Sequence, residues 1–151
     1  MNFNPEFVPY NEIYLSKSWE WLNDVEIKQL TLTPDFTKES QREWFEKLAS
    51  KSDYLIWGIE MEGLPVGACG LKNITSSEAE YWGYIGEKKF WNQGLGTKIL
   101  DFVFGEAKNR KIQTIILKVW TQNTRAIKLY EKYGFEIYHR DDNDIFMKKM
   151  V

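Results

Sequence analysis

Two stretches carry residues whose types and spacing could do chemistry. In WNQGLGTKIL, residues 91–100, Gly94 and Gly96 stand one residue apart where an aromatic, charged run gives way to an apolar helical pattern. Glycine costs about 1 kcal/mol against alanine inside a helix, and it is the default where backbone must turn sharply or come close to a ligand. A strand, a loop and a helix start with glycines in its first turn leave several backbone N–H groups unpaired and pointing outward. The positive end of the helix dipole backs them, which makes a potential anion site. Two named phosphate loops do not fit: the lysine and hydroxyl residue of a Walker loop do not follow at the required spacing, and Ile99 stands where a dinucleotide fingerprint has its third glycine. On these residues alone, an anion cradle and a tight turn with close helix packing both stay open.

The second stretch is TQNTRAIKLYEKYGFE, residues 121–136, in which Asn123 caps a helix carrying Ala126, Ile127 and Tyr130 and stopped by Gly134. Tyr130 by itself reads either as a core aromatic of an amphipathic helix or as a proton donor. Glu80 reads either as a solvated strand-end carboxylate or as a general base. Cys69, an isolated cysteine among apolar residues, reads as a small buried hydrophobe, and His139 as a structural or surface residue. One cysteine and one histidine allow neither an internal disulfide nor a metal cluster of the usual Cys/His kind.

The elements that must position these residues follow from periodicity and punctuation. A short strand is expected over 5–9, then helical spacing through Ile13, Leu15, Trp19 and Leu22 with more helix after it. In 41–50, Trp44 and Leu48 pair at i, i+4; Ser40 with Glu43 matches a capping box, while Thr37 would start the helix a turn earlier. Residues 54–60 and 65–74 flank Glu62, Gly63 and Leu64 as an antiparallel hairpin, and 79–86 form a further strand. From Gly94, the residues Leu95, Ile99, Phe102, Val103 and Ala107 recur at helical spacing to near Asn109. A β-branched strand, 113–120, precedes the Asn123 helix, and FEIYHR and DIFMKKM end the chain as strands. Helices set between strands that are partly antiparallel and partly joined by crossovers make a mixed α and β class.

Composition bounds the function. With 43% hydrophobic, 16% aromatic and 28% charged residues, the 151-residue chain is expected to fold as a single domain over residues 1–151. The near-neutral net charge of −2 argues against nucleic acid as the main partner. No apolar run has the length a membrane helix needs, and MNFNPEFVPYNE lacks the basic start and apolar middle of a secretion signal; a cytoplasmic protein with no membrane partner is expected. Residues 1–50 hold nine acidic against five basic side chains, whereas 87–132 hold ten basic against four acidic. These are either ordinary solvated faces or the marks of a cationic ligand met by the first part and a polyanionic one held by the second.

Taken together, FWNQGLGTKIL and TQNTRAIKLYEKYGFE resemble the acetyl-CoA-binding core of the general-control-type N-acetyltransferase (GNAT) superfamily, over roughly residues 55–150. The N-terminal part is similar, more loosely, to the branch containing ribosomal-protein N-terminal, polyamine and amino-sugar acetyltransferases. The resemblance implies an α/β (α+β) GNAT fold, a mixed central sheet with a splayed strand pair and flanking helices. It implies that the backbone of Asn92, Gln93, Gly94, Leu95 and Gly96 cradles the CoA pyrophosphate, with Thr97 and Lys128 also on the cofactor. Trp91 departs from the family's arginine or glutamine at the first loop position and leaves that contact to backbone. Tyr84, Ile85 and Gly86 are expected to pair with pantetheine amides, Asn123 to bond near the pantetheine arm, and Tyr130 to sit by the sulfur as general acid. Glu80 is the best carboxylate by position to receive the amine proton, directly or through a water relay.

The function so implied is transfer of acetyl from acetyl-CoA to a primary amine of a small molecule or a protein N-terminus, by direct attack in a ternary complex without a metal. The acidic N-terminal part suits a polyamine or a peptide N-terminus, and an amino-sugar nucleotide would need basic residues that this part supplies sparsely. A non-catalytic acyl-CoA-binding sensor is the reading from another class, and a mere binder has no use for an acid at the sulfur. The SWEW segment, 18–21, is core first and a wall of the acceptor site second. Either a monomer or a homodimer is compatible.

Overall fold

The computed structural model describes residues 4–151; the first three residues of the expected domain lie outside the described ones. Strand β1 (Glu6–Pro9) leads into helix α1 (Glu12–Asn23), whose first turn is capped by the Asn11 side chain accepting from the N–H groups of Ile13 and Tyr14. Asp24 ends α1 and caps the short helix α2 (Val25–Leu30). Helix α3 (Lys38–Lys47) starts at Thr37, which exchanges a capping box with Ser40; the alternative box of Ser40 with Glu43 does not form, because Ser40 already lies inside the first turn. Strands β2 (Leu55–Met61) and β3 (Leu64–Lys72) form the expected hairpin with a tighter turn: Glu62 and Gly63 both take positive φ, as a two-residue turn demands, and Leu64 already belongs to β3. Strand β4 (Glu78–Ile85), helix α4 (Leu95–Asn109), strand β5 (Thr114–Trp120), helix α5 (Thr124–Tyr133) and strands β6 (Glu136–Arg140) and β7 (Asp144–Met150) complete the chain.

The seven strands form one sheet in the order β1-β2-β3-β4-β5-β7-β6, antiparallel at every pairing except β4 with β5. One face carries the main core, where Leu95, Ile99, Leu100 and Val103 of α4 meet Val66, Leu71, Tyr81, Ile115 and Leu117. Burying each such aliphatic side chain contributes roughly 1.5–3 kcal/mol, so this face fixes α4 and with it the loop that precedes it. The other face carries a smaller core of Tyr14, Trp21 and Ile27, joined by Val8, Tyr10, Leu22, Tyr84 and Trp91. The β4–β5 pairing runs only from Glu78 opposite Thr114 to Tyr81 opposite Leu117. Beyond that point β4 keeps β3 as its partner and β5 keeps β7, and the two strands part.

Candidate active site

A cleft of about 1190 Å³ occupies the gap left by the parting strands and opens on both sheet faces. One wall is the loop into α4. Gly94 takes φ +76 and a Cβ there would meet nothing within 4 Å, whereas a Cβ on Gly96 would meet Leu129 Cδ2 at 2.5 Å. The two glycines therefore serve different needs: Gly94 turns the chain and leaves open space over the loop, and Gly96 lets α4 approach α5. Asn92 also takes positive φ, which asparagine tolerates better than most residues. No side chain caps α4, so its first N–H groups face the cleft with the helix dipole behind them. Asn92, Gly94, Leu95, Gly96 and Thr97 line the cleft. Gln93 does not, its amide donating to the Lys89 carbonyl at 2.9 Å.

The parted strands supply the middle of the cleft. Tyr84 and Ile85 line it, but the N–H of Gly86 is spent on the Val66 carbonyl at 2.7 Å and its Cα face is covered by the Trp21 ring. Trp91 lines the cleft while its indole N–H donates to the Ile85 carbonyl at 2.9 Å, so the residue braces the loop against β4. Asn123 caps α5 by accepting from the Ala126 N–H at 3.3 Å, and its amide reaches the Leu30 carbonyl at 3.5 Å, which ties the end of α2 to the start of α5. Lys128 points away from the cleft and is exposed. Tyr130 lines the cleft between Tyr81 and Phe135, both packed edge-on to it, and burial pushes its phenol pKa up to about 12.

Glu80 is on the opposite side of β4 from Tyr81 and does not line the cleft. Its carboxylate sits 3.6 Å from the Lys72 ammonium and accepts from the Asn73 amide at 3.4 Å. Of the acidic residues in 1–50, Glu26 alone lines the cleft, and it is paired with Lys88 at 3.1 Å. Others are engaged at the surface: Glu12 with Arg42, Asp24 with Lys88, Asp35 with Lys28. Cys69 is fully buried and burial pushes its thiol pKa up; His139 pairs with Asp141 far from the cleft. Among the described residues no three His, Cys, Asp or Glu side chains come together to hold a metal ion, and no helix is long and apolar enough to cross a membrane.

Tyr10, Trp44, Tyr54 and Trp82 also line the cleft and were not expected from the sequence. Of the SWEW segment, Ser18 is on the cleft, Trp21 is buried with its indole N–H donated to Glu87 at 3.1 Å, and Trp19 packs edge-on against Phe36. The signal that could have found Trp82 is its spacing of two from Tyr84, which puts both on the sheet face opposite Tyr81. A model of the family described as "Acetyltransferase (GNAT) family" matches residues 18–135. Acetyltransferase PseH of Campylobacter jejuni is 26% identical over 136 residues, covering 89% of this chain and 85% of that protein. Its structure in complex with acetyl coenzyme A superposes with a TM-score of 0.74 at 17% identity, covering 97% of this chain and 98% of that one. The ribosomal protein bS18 alanine N-acetyltransferase of Escherichia coli is 28% identical over 95 residues, which span 61% of this chain but only 64% of that protein's length. Spermidine N-acetyltransferase from Vibrio cholerae, solved with CoA and spermine, has the same fold, with a TM-score of 0.87 at 16% identity over 97% of this chain and 95% of that one.

Proposed function

Because this chain belongs to the acetyltransferase (GNAT) family, we propose that it moves acetyl from acetyl-CoA to a primary amine by direct attack in a ternary complex. It is an acetyl-CoA-dependent N-acetyltransferase, and acetyl-CoA is its cosubstrate. One observation carries the finer reading: the uncapped start of α4, the parted strands and Tyr130 all face one cleft. The pyrophosphate takes the N–H groups of Asn92, Gly94, Leu95 and Gly96, a polyanion on a helix start. The pantetheine arm lies in the gap between β4 and β5, against Tyr84 and Ile85, and delivers the thioester beside Tyr130. Asn123, tied to Leu30, holds the far side of that gap.

The chemistry then needs three things. The amine nitrogen forms a bond to the thioester carbonyl carbon, the C–S bond breaks, and the departing thiolate, whose conjugate acid has a pKa of about 8.5, must be stabilised. With its pKa at about 12, the Tyr130 phenol is protonated throughout the neutral range and donates a hydrogen bond to that sulfur. The amine proton leaves through water in the open cleft, since Glu80 is held by Lys72 and Glu26 by Lys88. The Gly86 N–H is spent within the sheet, which leaves the contacts of Tyr84 and Ile85 to position the arm. We read residues 1–151 as one acetyltransferase domain at work in the cytoplasm.

The test is thiol release from acetyl-CoA in the presence of a panel of amines, with product identified by mass. Acetylated amine formed in equal amount with free CoA supports the reading. Acetyl-CoA binding with no amine acetylated above the spontaneous rate would move the protein to the class of acyl-CoA sensors.

A further inference from the structure

The acceptor-side half of the cleft has a floor, a wall and a charge state that select among amines. The floor is Trp82. Its ring lies over Gly70 of β3, where a Cβ would come within 2.8 Å of the indole, and the residue remains partly exposed on the cleft. Tyr84 stacks beside it with ring centroids 6.3 Å apart and planes at 24°, and Tyr54 flanks it at 6.4 Å. A flat aromatic surface backed by a sheet suits the apolar C–H face of a ring.

The wall offers hydrogen-bond acceptors. The hydroxyls of Tyr10, Ser18 and Tyr84 form one chain, Tyr10 to Ser18 at 2.7 Å and Ser18 to Tyr84 at 3.1 Å, and in either direction of that chain the Tyr84 oxygen keeps a lone pair for the cleft. Gln41 donates one amide N–H to the Leu15 carbonyl at 3.0 Å and retains its oxygen, and Thr33 donates to Thr31, which is itself committed to the Ile27 carbonyl. All three line the cleft. Neutral acceptors in this number match a ligand rich in O–H and N–H donors.

Charge excludes the other amine classes. The charged side chains on the cleft are Glu26, Lys72, Lys118 and Arg125; Glu26 is paired with Lys88, and Lys72 with Glu80. A polyamine, with several positive charges, would meet the cations Lys118 and Arg125 and find the one lining carboxylate already paired. We propose that the acceptor is an amino sugar, whose ring face lies on the Trp82 indole while its hydroxyl and amine N–H groups donate to Tyr84, Gln41 and Thr33. This rests on the acetyl-transfer reading above. Trp82 and Tyr84 are the residues of β4 just past the end of the parallel pairing, so a ring on this floor presents its amine at the gap where the thioester arrives. There the sugar nitrogen forms the amide bond as the C–S bond breaks and CoA leaves as the thiol.

Thiol release from acetyl-CoA is measured with amino hexoses, free and nucleotide-linked, with spermidine, and with short peptides. The expected result is a kcat/KM for one amino-sugar arm about tenfold or more above spermidine and the peptides. Trp82→Ala then raises the KM for that sugar by about tenfold with the acetyl-CoA KM unchanged, and Trp82→Phe, which keeps an aromatic face, retains most of the affinity. A preference for spermidine or a peptide, no turnover of any amino sugar, or a Trp82→Ala change that moves both KM values together overturns the assignment. Calorimetry with acetyl-CoA alone separates the two levels: no binding overturns the transfer reading too, whereas binding with acetylation of a different amine overturns the acceptor class and leaves transfer standing.

Discussion

Tyr130 and Glu80 are both ionisable groups that the sequence offers for proton transfer, and their surroundings separate them. Tyr130 stands between Tyr81 and Phe135 on the cleft, with burial raising its pKa to about 12, so it is a donor at any pH where the protein works. Replacing it with phenylalanine keeps the packing and removes the donor; Tyr130→Phe is expected to lower kcat by about 10²- to 10⁴-fold with the acetyl-CoA KM changed by less than about threefold, read by steady-state thiol release. Glu80, which does not line the cleft, shares its carboxylate with Lys72 and Asn73. Accordingly, Glu80→Gln is expected to keep kcat at pH 7 within about threefold, and a hundredfold loss would return the base to that carboxylate. Along β4 it is Tyr81, and not its neighbour Glu80, that turns towards Tyr130, because successive strand residues face opposite sides of the sheet.

Helix starts and strand ends build the site, and their local signals are of unequal reach. Gly94, Asn123 and Gly134 announce their elements in sequence because each solves a backbone problem within a few residues: a positive φ, a cap and a left-handed stop. At φ +76 a Cβ costs roughly 1–2 kcal/mol without touching a neighbour, so Gly94→Ala is expected to lower the chemical-denaturation stability by about that amount and to weaken acetyl-CoA binding measured by calorimetry. A stability loss without any change in binding would reduce Gly94 to a turn residue. Gly96 has a need that its spacing from Gly94 did not announce: a Cβ there would meet Leu129 of the neighbouring helix. At the start of α3 Thr37 and Ser40 both carry capping hydroxyls, and the helix begins at Thr37 with Ser40 as its partner in the capping box.

Over the whole molecule, two cores grip opposite faces of one sheet and leave the cleft between them, and many tyrosines line that arrangement. Burial raises the pKa of Tyr10, Tyr14 and Tyr130 to about 12 and also lifts Tyr54, Tyr81 and Tyr84 above the ordinary value of 10. The folded state therefore holds these protons more tightly than the unfolded chain. Their stabilising effect is complete below about pH 10 and is lost as pH rises through 12, so the thermal midpoint should be flat from neutral to about pH 10 and fall steeply above it. An unchanged midpoint at pH 11.5 would contradict that burial. Composition, hydrophobic period and turn residues determined the order of elements, the mixed class and the two stretches that carry the family's chemistry, because each depends on neighbours a few residues apart. Only the tertiary structure decided which acids pair away, that Gly86 spends its N–H within the sheet, and that Tyr10, Ser18, Trp82 and Tyr84 meet across one wall. Those are contacts between residues as many as 66 positions apart, as Ser18 and Tyr84 are, and they exist only once the sheet has set its register and α1 has packed on it.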